Sequence, residues 1–272
     1  MTTTTRLTQA PVAVLFDVDG CLISTGGAGT KAWRHAFQRL HGIPADIGQF
    51  TEAGMTDPEV ARQTFVRVIG RSPTERETGR LLGAYLERLA EEVDYSAGYR
   101  VMPGVEALLP RLVALGVLLG IVSGALEAAA HIKLGRARLN RCFTFGGYGS
   151  DSADRAELTR LAIAWCGTLR EHAAEPSRVL VVGDTPRDVE AGRAAGAVTV
   201  GVATGKYTVP QLEATGADRA PYARITVARF RPPRSRAAKR RLTANPPERP
   251  ARPQVLTPTS ASGAAPDCTP PS

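Results

Sequence analysis

VLFDVDG, residues 14–20, is the stretch on which the fold is decided. A short apolar run ends in two carboxylates two residues apart. Residues i and i+2 of an extended chain face the same side, so Asp17 and Asp19 can point into one small volume. Two anions held that close call for a cation or a proton. A solvated turn fits the same letters, because Asp and Gly are ordinary turn formers, so the rest of the chain has to decide.

Working outward, four more short apolar runs rich in β-branched residues alternate with helical patterns. With residues 12–16 they form a set of candidate strands at 117–122, 142–145, 179–182 and 198–202. This alternation predicts an α/β fold, a doubly wound, Rossmann-like parallel sheet covered by helices. Each strand runs into a polar or Gly-rich turn: DVDG, SGAL, GGYGSD, GDTP and ATGK. The ligand crevice of such a sheet lies beyond the carboxyl ends of its strands, so function is expected in those five turns.

About a hundred residues separate the first two strands, far more than one crossover helix requires. They read as helices over 30–41, 58–69 and 73–92, the last started by Ser72 with Glu75 three residues on as a capping box. The expected organisation is an α/β core from 10–24 and 100–218, a helical cap inserted at 25–99, and a tail at 219–272. Gly26, Gly27 and Gly29 at the entry, and residues 98–104 at the exit, read as the joints of a closing cap or as plain loop punctuation.

The tail accounts for the charge. The chain has 272 residues, 43% of them apolar, and a net charge of +8. Residues 219–272 hold 11 Lys and Arg against 2 Asp and Glu, together with 11 of the 20 prolines, whereas residues 1–218 are nearly neutral. That composition predicts disorder. The opening MTTTTRLTQA has no apolar signal region, and the longest apolar run, 112–122, is too short to span a bilayer, so no membrane is expected and the cytoplasm is. Cys21, Cys142, Cys166 and Cys268 show no C-x-x-C spacing, which predicts free thiols and no cysteine metal site.

GDTPRD, residues 183–188, places Asp184 at a strand end and Asp188 in the first turn of a helix begun by Pro186. Taken alone, these are a turn residue and a carboxylate favoured by the helix dipole. With Asp17 and Asp19 on a neighbouring strand end they make a four-carboxylate cluster, which a dry crevice tolerates when a hard cation such as Mg²⁺ sits in it.

DVDG followed by GDTPRD, in that order and with the long helical insertion between, resembles the haloacid dehalogenase superfamily. The likeness is to its phosphoglycolate-phosphatase-like members with an inserted helical cap, over about residues 10–218. The resemblance implies a Mg²⁺-dependent phosphatase acting on small phosphorylated metabolites. Asp17 would be the nucleophile that becomes an aspartyl-phosphate, Asp19 the acid and base, and Asp184 a metal ligand. Asp17, Asp188 and the backbone carbonyl of Asp19 would complete the metal site. Ser123, with the backbone N–H groups of Gly124 and Ala125, fits the family's phosphate-binding hydroxyl turn.

Three departures from the family pattern stand out. No Lys lies between Gly146 and Asp184, so Arg155 is the expected stand-in for the family's phosphate-neutralising cation, with Lys133 as the alternative and ordinarily a solvated mid-helix residue. Cys21 replaces a Thr and cannot offer the same hydrogen bond. The resemblance stops near Asp218. Two other functions stay open: a sugar phosphomutase, which shares the core chemistry, and a nucleic-acid or other polyanion binder that uses the basic tail while the phosphatase core is weakened. The cap stretch GMTD, residues 54–57, is expected to reach over the substrate.

Overall fold

The computed structural model describes residues 11–49 and 51–218. The predicted disordered tail at 219–272 and Cys268 lie outside them. Five parallel strands form one sheet in the order β5-β4-β1-β6-β7: β1 (Ala13–Phe16), β4 (Leu118–Ser123), β5 (Phe145–Tyr148), β6 (Val179–Gly183) and β7 (Val198–Gly201). All four residues of β1 are buried, and they divide by alternation. Val14 and Phe16 join one core, while Ala13 and Leu15 join another on the opposite face, beneath α6 (Arg155–Leu169). A strand apolar on both faces is what a central parallel position demands.

The chain leaves β1 for β4 and β5 on one side, then returns to β6 and β7 on the other, with α7 (Pro186–Ala194) between those two. The winding therefore reverses at β1. Its carboxyl end, flanked by the ends of β4 and β6, is the switch point at which such sheets open a crevice. The Asp17 amide donates to the Val182 carbonyl at 2.9 Å, which fixes the residue after β1 against β6.

The third strand departs from expectation. Residues 140–142 form a 3-10 turn and the strand is Phe145–Tyr148, so two of the glycines read as a turn are strand residues. Glycine weakens most strands, but here it supplies clearance. A Cβ at Gly146 would lie 2.7 Å from the Ile121 carbonyl oxygen, and one at Gly147 would overlap the Leu158 backbone of α6.

Between the short strands β2 (Ile23–Ser24) and β3 (Arg100–Val101), which pair antiparallel, lie α1 (Ala28–His41), α2 (Asp57–Val68) and α3 (Glu75–Tyr95). Trp33 of α1 stacks on Tyr85 of α3 at 4.4 Å, and Phe37 meets Phe65 of α2 edge-on at 5.5 Å. The capping box of α3 is two residues later than expected. Thr74 accepts from the Glu77 amide and Glu77 accepts from the Thr74 amide, while Arg71 anchors the Glu77 carboxylate from outside the helix. Both Ser72 and Thr74 have a Glu three residues on; the bidentate Arg71 contact favours the later pair.

The two connections touch. Gly26 has φ +63°, and a Cβ there would overlap the Gly98 backbone; Gly27 has φ +87° with open space around it. Gly26→Ala is expected to destabilise the fold by about 2–4 kcal/mol, the left-handed backbone cost plus overpacking, and Gly27→Ala by only about 1–2 kcal/mol. Equilibrium urea unfolding of both variants checks this; equal losses would mean that the crossing has slack.

Candidate active site

A crevice of about 270 Å³ opens at the carboxyl ends of β1, β4 and β6, lined by turns from the sheet and by residues 53–55 and Asp57 of the insertion. The stretch GMTD therefore borders it. Asp17, Asp184 and Asp188 each turn one carboxylate oxygen into a group whose atoms lie within 4.8 Å of one another. All three are buried. Burial, with the Asp188 charge next and Arg155 opposing, pushes Asp17 up to about 7; burial and then Asp17 and Asp188 push Asp184 up to about 9. Asp184 Oδ1 is buried with no hydrogen-bond partner. A Cβ at Gly20 or Gly205 would overlap the Asp184 carboxylate, so glycine at both positions keeps a cradle open around it.

Asp188 serves two structures. Its Oδ2 accepts from the Thr185 amide at 3.0 Å and the Thr185 hydroxyl at 2.7 Å, closing the capping box of α7. Its Oδ1 takes the Arg155 guanidinium. The capping and cluster readings of this residue hold together.

Asp19 corrects the four-carboxylate expectation. Its side chain stays out of the group of three: Oδ2 accepts from Lys133 Nζ at 2.6 Å, and the carboxylate remains 45% exposed. Lys133, on α5 (Glu127–Gly135), corrects another, being 5% exposed where a solvated mid-helix position was expected. Helix α5 packs against α3, and that packing encloses the lysine.

Arg155 opens α6 and is buried. One terminal nitrogen reaches Asp17 at 3.4 Å and also Asp188, and the other donates to the Gly54 carbonyl at 3.2 Å. Burial opposes its charge, but Asp188 and Asp17 outweigh burial and hold it firmly protonated. A planar fork can make these three contacts; a single ammonium could not reach all of them.

Ser123 ends β4 and is buried, and its Oγ accepts from the Ala125 amide at 3.3 Å. Gly124 allows no side chain, since a Cβ would overlap the Met55 carbonyl. Its own carbonyl accepts from the Asp57 amide at 2.8 Å. Asp57 Oδ2 in turn accepts from the Leu126 amide at 2.8 Å. From the sequence, Asp57 reads only as part of GMTD, a stretch expected to reach over the substrate. Here its buried carboxylate, pushed up by burial, also seats the insertion on the start of α5. Cys21 retains a weak bond, its thiol donating to the Val182 carbonyl at 3.5 Å; burial and then Asp17 push that thiol well up, so it stays protonated. Cys21, Cys142 and Cys166 are buried and none of the three forms a disulfide. Among the described residues no helix is long and apolar enough to cross a membrane.

The model of the haloacid dehalogenase-like hydrolases matches residues 12–196. The chain is 31% identical over 205 residues to the N-acetylmuramic acid 6-phosphate phosphatase of Pseudomonas aeruginosa, covering 73% of this chain and 84% of that one. It is 24% identical over 205 residues to the phosphoglycolate phosphatase of Agrobacterium fabrum, covering 75% and 85%. A crystal structure of a hydrolase from Pseudomonas syringae shares the fold, with a TM-score of 0.60 at 24% identity over 77% of this chain and 92% of that one.

Proposed function

This chain belongs to the haloacid dehalogenase-like hydrolase family, and on that premise we propose that it is a Mg²⁺-dependent phosphatase of small phosphate monoesters working through an aspartyl-phosphate on Asp17. The observation that carries the reading is the buried, partnerless Asp184 Oδ1 within a group of three carboxylates. Burying anions at that spacing is costly unless a cation neutralises them. Hard oxygen donors suit Mg²⁺, which Asp17, Asp184, Asp188 and the Asp19 carbonyl would hold. When bound, the ion offsets the repulsion between an anionic nucleophile and an anionic phosphate.

In this reading Ser123 Oγ, the Gly124 amide and Arg155 orient the phosphoryl oxygens. An Asp17 oxygen attacks phosphorus as the bond to the leaving oxygen breaks, and the Asp19 carboxyl delivers its proton to that oxygen. The Asp19 carboxylate then takes a proton from water, whose oxygen attacks phosphorus and releases phosphate and free Asp17. Residues 25–99 act as the cap and 10–24 with 100–218 as the catalytic core; Gly54, Asp57 and Arg155 hold the two together. Both named relatives hydrolyse phosphorylated small molecules by their names, which supports that substrate class. The basic tail and any polyanion it binds lie outside the described residues.

Phosphate release from p-nitrophenyl phosphate with Mg²⁺ is expected to exceed that with EDTA by on the order of 10²-fold or more. Equal rates in a continuous absorbance assay would reject the reading.

A further inference from the structure

Lys133 is a buried ammonium for which the scheme above has no task. Arg155 already occupies the place beside Asp17, and the partner of Lys133 is Asp19, at 2.6 Å. The pair is asymmetric. Both residues border the crevice, but the lysine side chain is 7% exposed and the aspartate 45%, so the ammonium is the enclosed end and the carboxylate the open one.

What fixes the ammonium comes from the insertion. Tyr85 of α3 and Asp57 at the start of α2 both act on it electrostatically. Tyr85 is itself held by its stack on Trp33, and Asp57 by the Leu126 amide. An ammonium has three donors and no acceptor. With its side chain 7% exposed and one donor given to Asp19 at 2.6 Å, Lys133 is better placed to hold that carboxylate than to follow a phosphoryl oxygen.

We propose that Lys133 is the positioning residue for Asp19: seated beneath α2 and α3, it keeps that carboxylate turned into the crevice and ties proton delivery to the docking of the insertion. The inference rests on Asp19 being the acid of the phosphatase reading. In that step the Asp19 O–H bond breaks, its proton bonds to the departing oxygen, and the carboxylate left behind keeps its place at 2.6 Å from Lys133 Nζ.

A group that positions an acid matters most when the leaving group is basic. kcat/KM reports the steps through the first irreversible one, here the attack of Asp17, and so isolates the acid half of the reaction. Full-length Lys133→Met is expected to lose about 30-fold in kcat/KM on phenyl phosphate but no more than about fivefold on p-nitrophenyl phosphate, whose leaving group needs little protonation. Equal losses on the two esters, or no loss on either, would overturn the inference, because a phosphate-binding or purely structural lysine does not discriminate between leaving groups. Should melting curves show Lys133→Met unfolded, Lys133→Gln carries the same test, since it keeps a polar donor and removes the charge that Asp19 meets. A loss confined to phenyl phosphate supports the inference and a substrate-independent one refutes it. Wild-type protein that releases phosphate from neither ester with Mg²⁺ would sink the phosphatase reading and this inference together, whereas an indiscriminate Lys133 variant beside an active wild type sinks only the inference.

Discussion

Asp17→Asn is expected to lower phosphate release by on the order of 10⁴ to 10⁶-fold, the scale on which removing a covalent nucleophile acts. The substitution removes one charge and keeps the shape, at a position whose amide is pinned to Val182 and whose side chain is buried between Arg155 and the other two acids. An amide oxygen is a poor nucleophile toward phosphorus, so the loss belongs to the chemical step. Stability should move the other way. Burial and the Asp188 charge push the Asp17 carboxyl up, so in metal-free protein at neutral pH the neutral amide relieves a strained group. A dead enzyme that melts no lower than wild type separates a lost nucleophile from a lost fold; a variant retaining more than a few per cent of activity would remove Asp17 from the role.

Asp184→Asn is expected to lower kcat/KM by on the order of 10³-fold, about 4 kcal/mol at 1.36 kcal/mol per decade. Its stability signature is distinctive. In metal-free wild type the Asp184 carboxyl lies at about 9 in the fold against 3.8 for the free side chain. The native state therefore holds the extra proton, and stability falls as pH rises from about 4 toward 9. The asparagine variant lacks that slope. In EDTA it should melt above wild type at pH 8, with the gap closing as pH falls toward 4. Thermal melts across that range check the sign; a variant less stable than wild type at every pH would mean that the carboxylate is not crowded.

Much of the fold could be read from the chain because it depends on local rules. The short apolar run AVLF at β1 and the paired carboxylates at its end follow from strand geometry, and so does the meeting of Asp17 with Asp184 and Asp188, since adjacent parallel strands bring their carboxyl ends together. What could not be read depends on packing between distant segments. Gly146 and Gly147 read as a turn because the Ile121 and Leu158 backbones that crowd them are remote in sequence. Lys133 reads as solvated because the helix that buries it, α3, lies 38 residues or more upstream. Asp19 reads as a member of the cluster for the same reason, its partner being visible only once α5 is in place. The one signal for Lys133 lay in its neighbours: it is the only charged side chain after Glu127 in the otherwise apolar or neutral EAAAHIKLG, where a fully exposed helix would carry more.

The central claim is that Asp17, Asp184 and Asp188 form a site for a divalent cation. Calorimetric titration of Mg²⁺ into metal-free wild-type and Asp184→Asn protein at one neutral pH tests it most directly. The account predicts a single saturable site in wild type, with heat that vanishes or affinity that drops at least about tenfold in the variant. Identical isotherms for the two proteins would contradict it.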